Sequence, residues 1–360
     1  MAEPLLLHSL AEFRELIVAC LDAAGARSVV EIGGEDGTFT RELASWADDG
    51  DGAVFCIDPA PSRELATLAQ TSETITLVRQ RSLDALPTIG PCDAYLIDGD
   101  HNHHTVLGEL EAIEKAHGGG RRWLAILHDV GWPWGRRDLY YDPEGLPPSA
   151  VKPHTFDQGV TLGSNATVVG GFRSEGEFAC AAEEGGPANG VLTAVEDFLE
   201  SRPGLTLARV PSVFGLGILY PPEAAWGPAV DAIVAPYHDN PLLQRLERNR
   251  LALYLKVLEL GDDLGRAHDA MGTQRLHTRD VEVENRALWA RVRELEARLA
   301  EAVVARDALV REVDAVARAR SFKVAERLSR VHAIVRNEPG LSSERLLRLI
   351  DSVGDPAPRS

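Results

Sequence analysis

The sequence predicts an α/β fold, a doubly wound and mostly parallel sheet with a C-terminal helical appendage, and three observations predict it. Short apolar runs recur at 28–32, 53–57, 75–78, 93–97 and 123–127 with helical patterns between them. Alternation of this kind implies parallel strands covered on both faces. Two further strands, Leu205–Val210 and Phe214–Tyr220, are separated by Pro211-Ser212-Val213 alone, too little chain for a crossover, so they form an antiparallel hairpin. After Pro241 the pattern becomes helical almost throughout.

Taken in order, Ser9 and Glu12 have capping-box spacing, and Phe13, Leu16, Ile17, Cys20 and Leu21 follow a helical period that Gly25 ends. The first strand runs into Gly33-Gly34-Glu35-Asp36-Gly37, and a helix follows at about 38–47. The second strand ends at Asp58-Pro59, and Ser62 caps the next helix. The fourth ends in Asp98-Gly99-Asp100-His101, a helix covers 103–117, and the fifth strand ends in His128-Asp129. Polar residues thus gather beyond the carboxyl ends of the strands, where open α/β sheets bind ligands. Residues 130–188 are rich in Gly, Pro and aromatics and read as a lid, since Trp132, Trp134, Tyr140 and Tyr141 argue against disorder. A helix from Gly190 leads into the hairpin.

The expected domains are 1–225 with its lid insertion, a helical appendage over 226–350, and a disordered tail over 351–360. Leu242, Leu246, Leu253, Val257 and Leu260 form an amphipathic stretch that Gly261 should interrupt. Over 281–320 a heptad holds, with Val281, Leu288, Leu295, Ala302, Leu309 and Val316 at d and Val292, Leu299 and Val313 at a; Asn285, Arg306 and Arg320 also fall on a, which weakens the seam but can fix register. That seam predicts a homodimer or higher oligomer through a coiled coil; a helix folded back on its own domain is the alternative.

With 360 residues and 44% hydrophobic content, the chain can bury a sizeable core. A formal net charge of −18 argues against nucleic acid as the main partner, because phosphate binding needs a basic surface. Arg121, Arg122, Arg136 and Arg137 can still line a local basic pocket. The first residues lack a basic segment followed by an apolar one, so no signal peptide is expected, and no apolar run is long enough for a membrane span. Cys20, Cys56, Cys92 and Cys180 are scattered and read as reduced, packed thiols of a cytoplasmic protein.

The first strand–loop–helix, Val30-Glu31-Ile32-Gly33-Gly34-Glu35-Asp36-Gly37-Thr38, combines a glycine turn with acids. A diphosphate would be repelled by Glu35 and Asp36, which makes a dinucleotide-dependent dehydrogenase the least favoured reading; a cationic ligand fits better. Glu31 can accept from an ammonium group, and Asp58 can accept from two vicinal hydroxyls. This E-x-G-x-x-x-G arrangement resembles motif I of class I S-adenosylmethionine-dependent methyltransferases. The resemblance implies their Rossmann-like sheet, of order 3-2-1-4-5-7-6, over about residues 10–220. It also implies cofactor contacts from Glu31, Gly33, Gly34, Gly37, Thr38, Asp58 and, at the adenine, Ser82.

Adjacent fourth and fifth strands bring Asp98, His128 and Asp129 within reach of one ion. Mg2+ is the first expectation, and the imidazole admits Mn2+, Fe2+ or Zn2+. The pattern is similar to the metal-dependent sugar O-methyltransferases of the macrocin O-methyltransferase group, with His128 in place of the first member of their acidic pair. That similarity implies Asp98 and Asp129 as metal ligands and Asp100 as general base. His101 competes for the base role, since its ordinary pKa suits proton removal at neutral pH. The alternative without a metal has Asp98 hydrogen-bonding the cofactor's amino acid portion. His103 and His104 read as solvent- or substrate-facing, and His154 and Asp157 as lid residues able to reach the site.

The expected function is S-adenosylmethionine-dependent O-methylation of a small polar metabolite, glycosylated ones included, with metal assistance and a place in natural product biosynthesis. A metal-assisted relative such as an oxygenase and a non-catalytic coiled-coil assembly protein are the rivals.

Overall fold

The computed structural model describes residues 9–120, 122–173, 176–336, 340 and 342–354. Arg121 and residues 355–360 of the expected tail lie outside them. The chain divides into two compact units, Met1–Gly265 and Arg266–Ser360.

In the first unit a seven-stranded sheet is built from β1 (Ser28–Ile32), β2 (Ala53–Ile57), β3 (Ile75–Val78), β4 (Ala94–Ile97), β5 (Leu124–His128), β9 (Thr206–Val210) and β10 (Leu216–Tyr220). Its order is β3-β2-β1-β4-β5-β10-β9, with β10 antiparallel to both neighbours. This is the expected order 3-2-1-4-5-7-6, once the short lid strands β6 (Leu139–Tyr140), β7 (His154–Thr155) and β8 (Ala179–Ala181) are set aside. Those three form a separate sheet.

Side chains alternate between two apolar layers, as period-2 strands require. Val29, Ala94, Leu96, Leu124 and Ile126 face α1 (Arg14–Ala24), α2 (Thr38–Gly50) and α7 (Gly227–Val234). Val30, Tyr95, Ile97, Ala125 and Leu127 face α4 (Ser82–Ile89), α5 (His103–Ala116) and α6 (Val191–Glu200). Each fully buried aliphatic side chain in these layers contributes about 1.5–3 kcal/mol. Helix α3 (Arg63–Thr71) is capped as expected, Ser62 Oγ accepting from the Leu65 N–H at 3.0 Å.

The lid is held by buried charges. Arg137 is fully buried and donates to the carbonyls of Ala181 and Asn165. Arg136 pairs with Glu196 through both guanidinium nitrogens, at 2.5 and 2.7 Å. Arg137 is thereby withdrawn from the basic pocket the sequence suggested, whereas Arg136 stays partly exposed and lines a cavity with Glu184 and Arg209. Asp138 accepts from the backbone N–H groups of His103 and Gly190 and from the Tyr140 hydroxyl, fastening the lid to the start of α5.

Helix α8 (Pro241–Arg318) runs through Gly261 without a break, correcting the expected interruption. A helical backbone tolerates an isolated Gly at a cost of about 1 kcal/mol. In the second unit α9 (Arg320–Arg336) and α10 (Ser343–Gly354) follow. Val281, Leu288, Val292, Leu295, Leu299, Leu309 and Val316 of the heptad are exposed.

Candidate functional site

Strand register sets the geometry. Ile32 lies beside both Ile57 and Ile97, and Ile97 lies beside Leu127. The next residue on each strand therefore meets its counterparts: Gly33 with Asp58 and Asp98, and Asp98 with His128. A Cβ on Gly33 would stand 2.2 Å from the Asp98 carbonyl oxygen, and its φ of +89° is in the left-handed region. Only Gly fits both demands.

Around that contact the β1 tip is organised by acids. Glu31 is buried and accepts from the Thr40 hydroxyl at 2.6 Å. Burial, with the Asp98 and Asp58 charges adding to it, pushes its carboxyl up to about 7. Burial likewise raises Glu35. Asp58 accepts from the Glu35 N–H at 2.9 Å and the Ala60 N–H at 2.8 Å, so the β2 acid shapes the glycine loop and retains lone pairs for a ligand. Thr38 opens α2, its N–H capped by Asp36. A Cβ at Gly34 would meet Cys56 Sγ and Leu65.

Ser82, at the start of α4, is buried beside Glu109 of α5. Glu109 is fully buried, and neither carboxylate oxygen has an aligned hydrogen-bond partner among the described residues. Burial pushes it up to about 8, opposed by the Ser82 hydroxyl.

The second group converges as the register requires. Asp98, His128 and Asp129 each offer a ligand atom within 4.8 Å of the others. His128 Nδ1 lies 3.0 Å from Asp98 Oδ1 and 3.7 Å from Asp129 Oδ2. His128 Nε2 lies 2.9 Å from the Val213 carbonyl. A carbonyl can only accept, so Nε2 carries the proton, and in a neutral ring Nδ1 presents a lone pair toward two carboxylates. That donor set fits a divalent cation, and a ligating imidazole ordinarily gives its other N–H to such an acceptor. Asp129 Oδ1 is buried without a partner among the described residues, and the backbone there has φ +60°.

Burial pushes His128 down, but the Asp98 and Asp129 charges outweigh it and raise it to about 9. Burial also works against Asp98, yet His128 and His101 hold it below its ordinary value.

His101 joins this group. Its Nε2 lies 3.2 Å from Asp98 Oδ1 and 3.1 Å from Asp129 Oδ2. Asp100 is tied to its own turn, with Oδ2 accepting from Asn102 Nδ2 at 2.6 Å and Thr105 Oγ1 at 3.1 Å, while Oδ1 is buried without a partner among the described residues.

The expectation for His103 is corrected. His103 is buried, with Nε2 2.7 Å from Asp197 on α6, and serves to pack α5 on α6. His154 and Asp157 are exposed; His154 stacks edge-on against Tyr140. Three contributors were not anticipated. Thr40 and Glu109 are buried supports, legible only as polar positions on inward helix faces. Tyr141 follows β6 and is more than half exposed. Its surroundings and the Asp98 and Asp129 charges raise its phenol above the ordinary value.

Residues 30–119, a quarter of the chain, match the family described as "Methyltransferase domain". No curated protein matches. Solved structures similar to this chain include cofactor-bound Rv0187 from MTB, 19% identical over 61% of this chain and 83% of that one, TM-score 0.36. Another is the O-methyltransferase TomG from Streptomyces achromogenes with SAM, 16% identical over 59% and 80%, TM-score 0.35. A third is an O-methyltransferase from Bacillus cereus with SAH, 17% identical over 59% and 80%, TM-score 0.34. Residues 30–119 thus match a methyltransferase-domain model, and they lie on a sheet whose strand order is the one the resemblance in sequence leads one to expect.

Proposed function

We propose that this protein transfers a methyl group from S-adenosylmethionine to a hydroxyl of a small polar metabolite, glycosylated ones included, with a divalent ion beside the methyl donor. One observation carries the reading: the β1 tip, with Glu31 and the Asp58-held loop, is pressed against Asp98 of the Asp98–His128–Asp129 cluster. A sulfonium nucleoside at the first two tips would have its methyl group facing a hydroxyl at the other two.

In this reading Glu31 and the glycine loop hold the amino acid portion of the donor, Asp58 the ribose hydroxyls, and Ser82 the adenine end. Asp98, His128 and Asp129 would hold the ion, Mg2+ first, with Mn2+, Fe2+ or Zn2+ admitted by the imidazole. A bound ion supplies Lewis acidity that lowers the pKa of a substrate hydroxyl. His101 is favoured over Asp100 as the base, because its Nε2 stands at the two carboxylates while Asp100 is held by Asn102 and Thr105. Taking the hydroxyl proton at Nε2 requires the neutral His101 tautomer with its hydrogen on Nδ1, and Asp129 would stabilise the resulting imidazolium.

A second reading keeps the methyl transfer without the ion: His101 Nε2, lying between both carboxylates, neutralises the cluster itself. Chelator dialysis separates the two. The exposed heptad of α8 supports a homodimeric coiled coil as the assembly.

Titration calorimetry with S-adenosylmethionine tests the reading. Binding at one site per chain, lost in Asp58→Ala, is expected; no heat from the folded, ligand-free protein would reject it.

A further inference from the structure

We infer that Glu247, on the first turns of α8, is a positioning residue for His128, acting through the single peptide unit that joins Val213 to Phe214. The N–H of that unit donates to Glu247 Oε1 at 3.0 Å, and its carbonyl accepts from His128 Nε2 at 2.9 Å. In a trans peptide these two groups point in opposite directions within one plane, so the unit is clamped from both sides.

The backbone would not hold that plane by itself. Val213 has φ +45° and Phe214 +62°, in the left-handed region that β-branched and bulky residues avoid. Contacts must impose it, and α8 provides them. Arg250 binds Glu247 through two nitrogens at 2.7 Å and lies over the Phe214 ring at 4.7 Å. A carboxylate on the N–H also polarises the carbonyl at the other end of the same amide, strengthening its hold on the imidazole N–H. The consequence is a fixed His128 tautomer, with Nδ1 turned to Asp98 and Asp129. The helix that leaves the domain as its appendage is thereby part of the support of the candidate site.

The hydrogen-bond chain stands on its own geometry; its consequence for metal binding rests on the metal-assisted reading above. The test uses full-length protein labelled with 15N-histidine. In wild type the His128 Nε2–H should be slow to exchange with solvent, and Mn2+ affinity is read separately by electron paramagnetic resonance. Glu247→Ala should lose the exchange protection and bind Mn2+ about ten-fold more weakly. Glu247→Gln, which keeps an acceptor, should remain within about three-fold of wild type. Should Glu247→Ala fail to fold, Arg250→Ala, which frees the Glu247 rotamer, should speed the exchange; unchanged exchange there would overturn the inference. Equal protection and equal Mn2+ affinity in Glu247→Ala would overturn it as well. If wild type binds no Mn2+ while Glu247→Ala still loses the protected N–H, the positioning role holds and the metal reading fails.

Discussion

Replacing Glu109 by Gln removes a carboxyl that the fold buries completely beside Ser82 while keeping its shape. Its pKa rises from the ordinary 4.5 to about 8 because burial disfavours the ionised form. The folded chain therefore holds this proton longer than the unfolded chain, so stability falls as pH climbs from about 4.5 and levels off above about 8. The displacement corresponds to about 5 kcal/mol in full, with about 3 kcal/mol expressed at pH 7 and less than about 1 at pH 5. Gln has no charge to desolvate, so Glu109→Gln should match wild type within about 1 kcal/mol at pH 5 and gain by the amounts above as pH rises. Urea unfolding followed by circular dichroism at pH 5, 7 and 9 measures the difference. A gap between variant and wild type that stays constant across that range would refute the argument.

Gly33→Ala should separate the tips of β1 and β4, since the new methyl would meet the Asp98 carbonyl at 2.2 Å. A loss of more than about 3 kcal/mol is expected with abolished S-adenosylmethionine binding, read by thermal unfolding and calorimetry. Asp129→Ala should weaken Mn2+ binding at least ten-fold, by about 1.4 kcal/mol or more, because a buried anion facing both imidazoles is lost; turnover unchanged by chelator dialysis would remove the ion from the account. Light scattering on full-length protein should report a dimer, with Leu295→Asp shifting it toward monomer by breaking the exposed heptad.

The sheet was legible because its signals are local. Each apolar run ends at a residue that cannot continue it comfortably, and Gly33, Asp58, Asp98 and His128 mark four tips that register then aligns. The lid sheet was not legible, since strands of two or three residues carry no period. Helix α4 was hidden by Pro87 inside it, and α7 by the prolines and glycine at its start. The pairings of the lid arginines are hidden for another reason: Arg136 and Arg137 find partners 28 to 60 residues away, which spacing cannot reveal. The structure brings the candidate residues at the strand ends together. The choice between Asp100 and His101 was left open by sequence, since it depends on which side chain turns toward Asp129 and which turns back to Asn102.

A crystal structure of full-length protein with S-adenosylhomocysteine and Mn2+ tests the central claim most directly. The account predicts the nucleoside across the β1 and β2 tips, its ribose hydroxyls on Asp58, and an anomalous manganese peak among Asp98, His128 and Asp129. A nucleoside bound away from Glu31 and Asp58, or manganese held by other residues while that cluster keeps its His101 contacts, would contradict it.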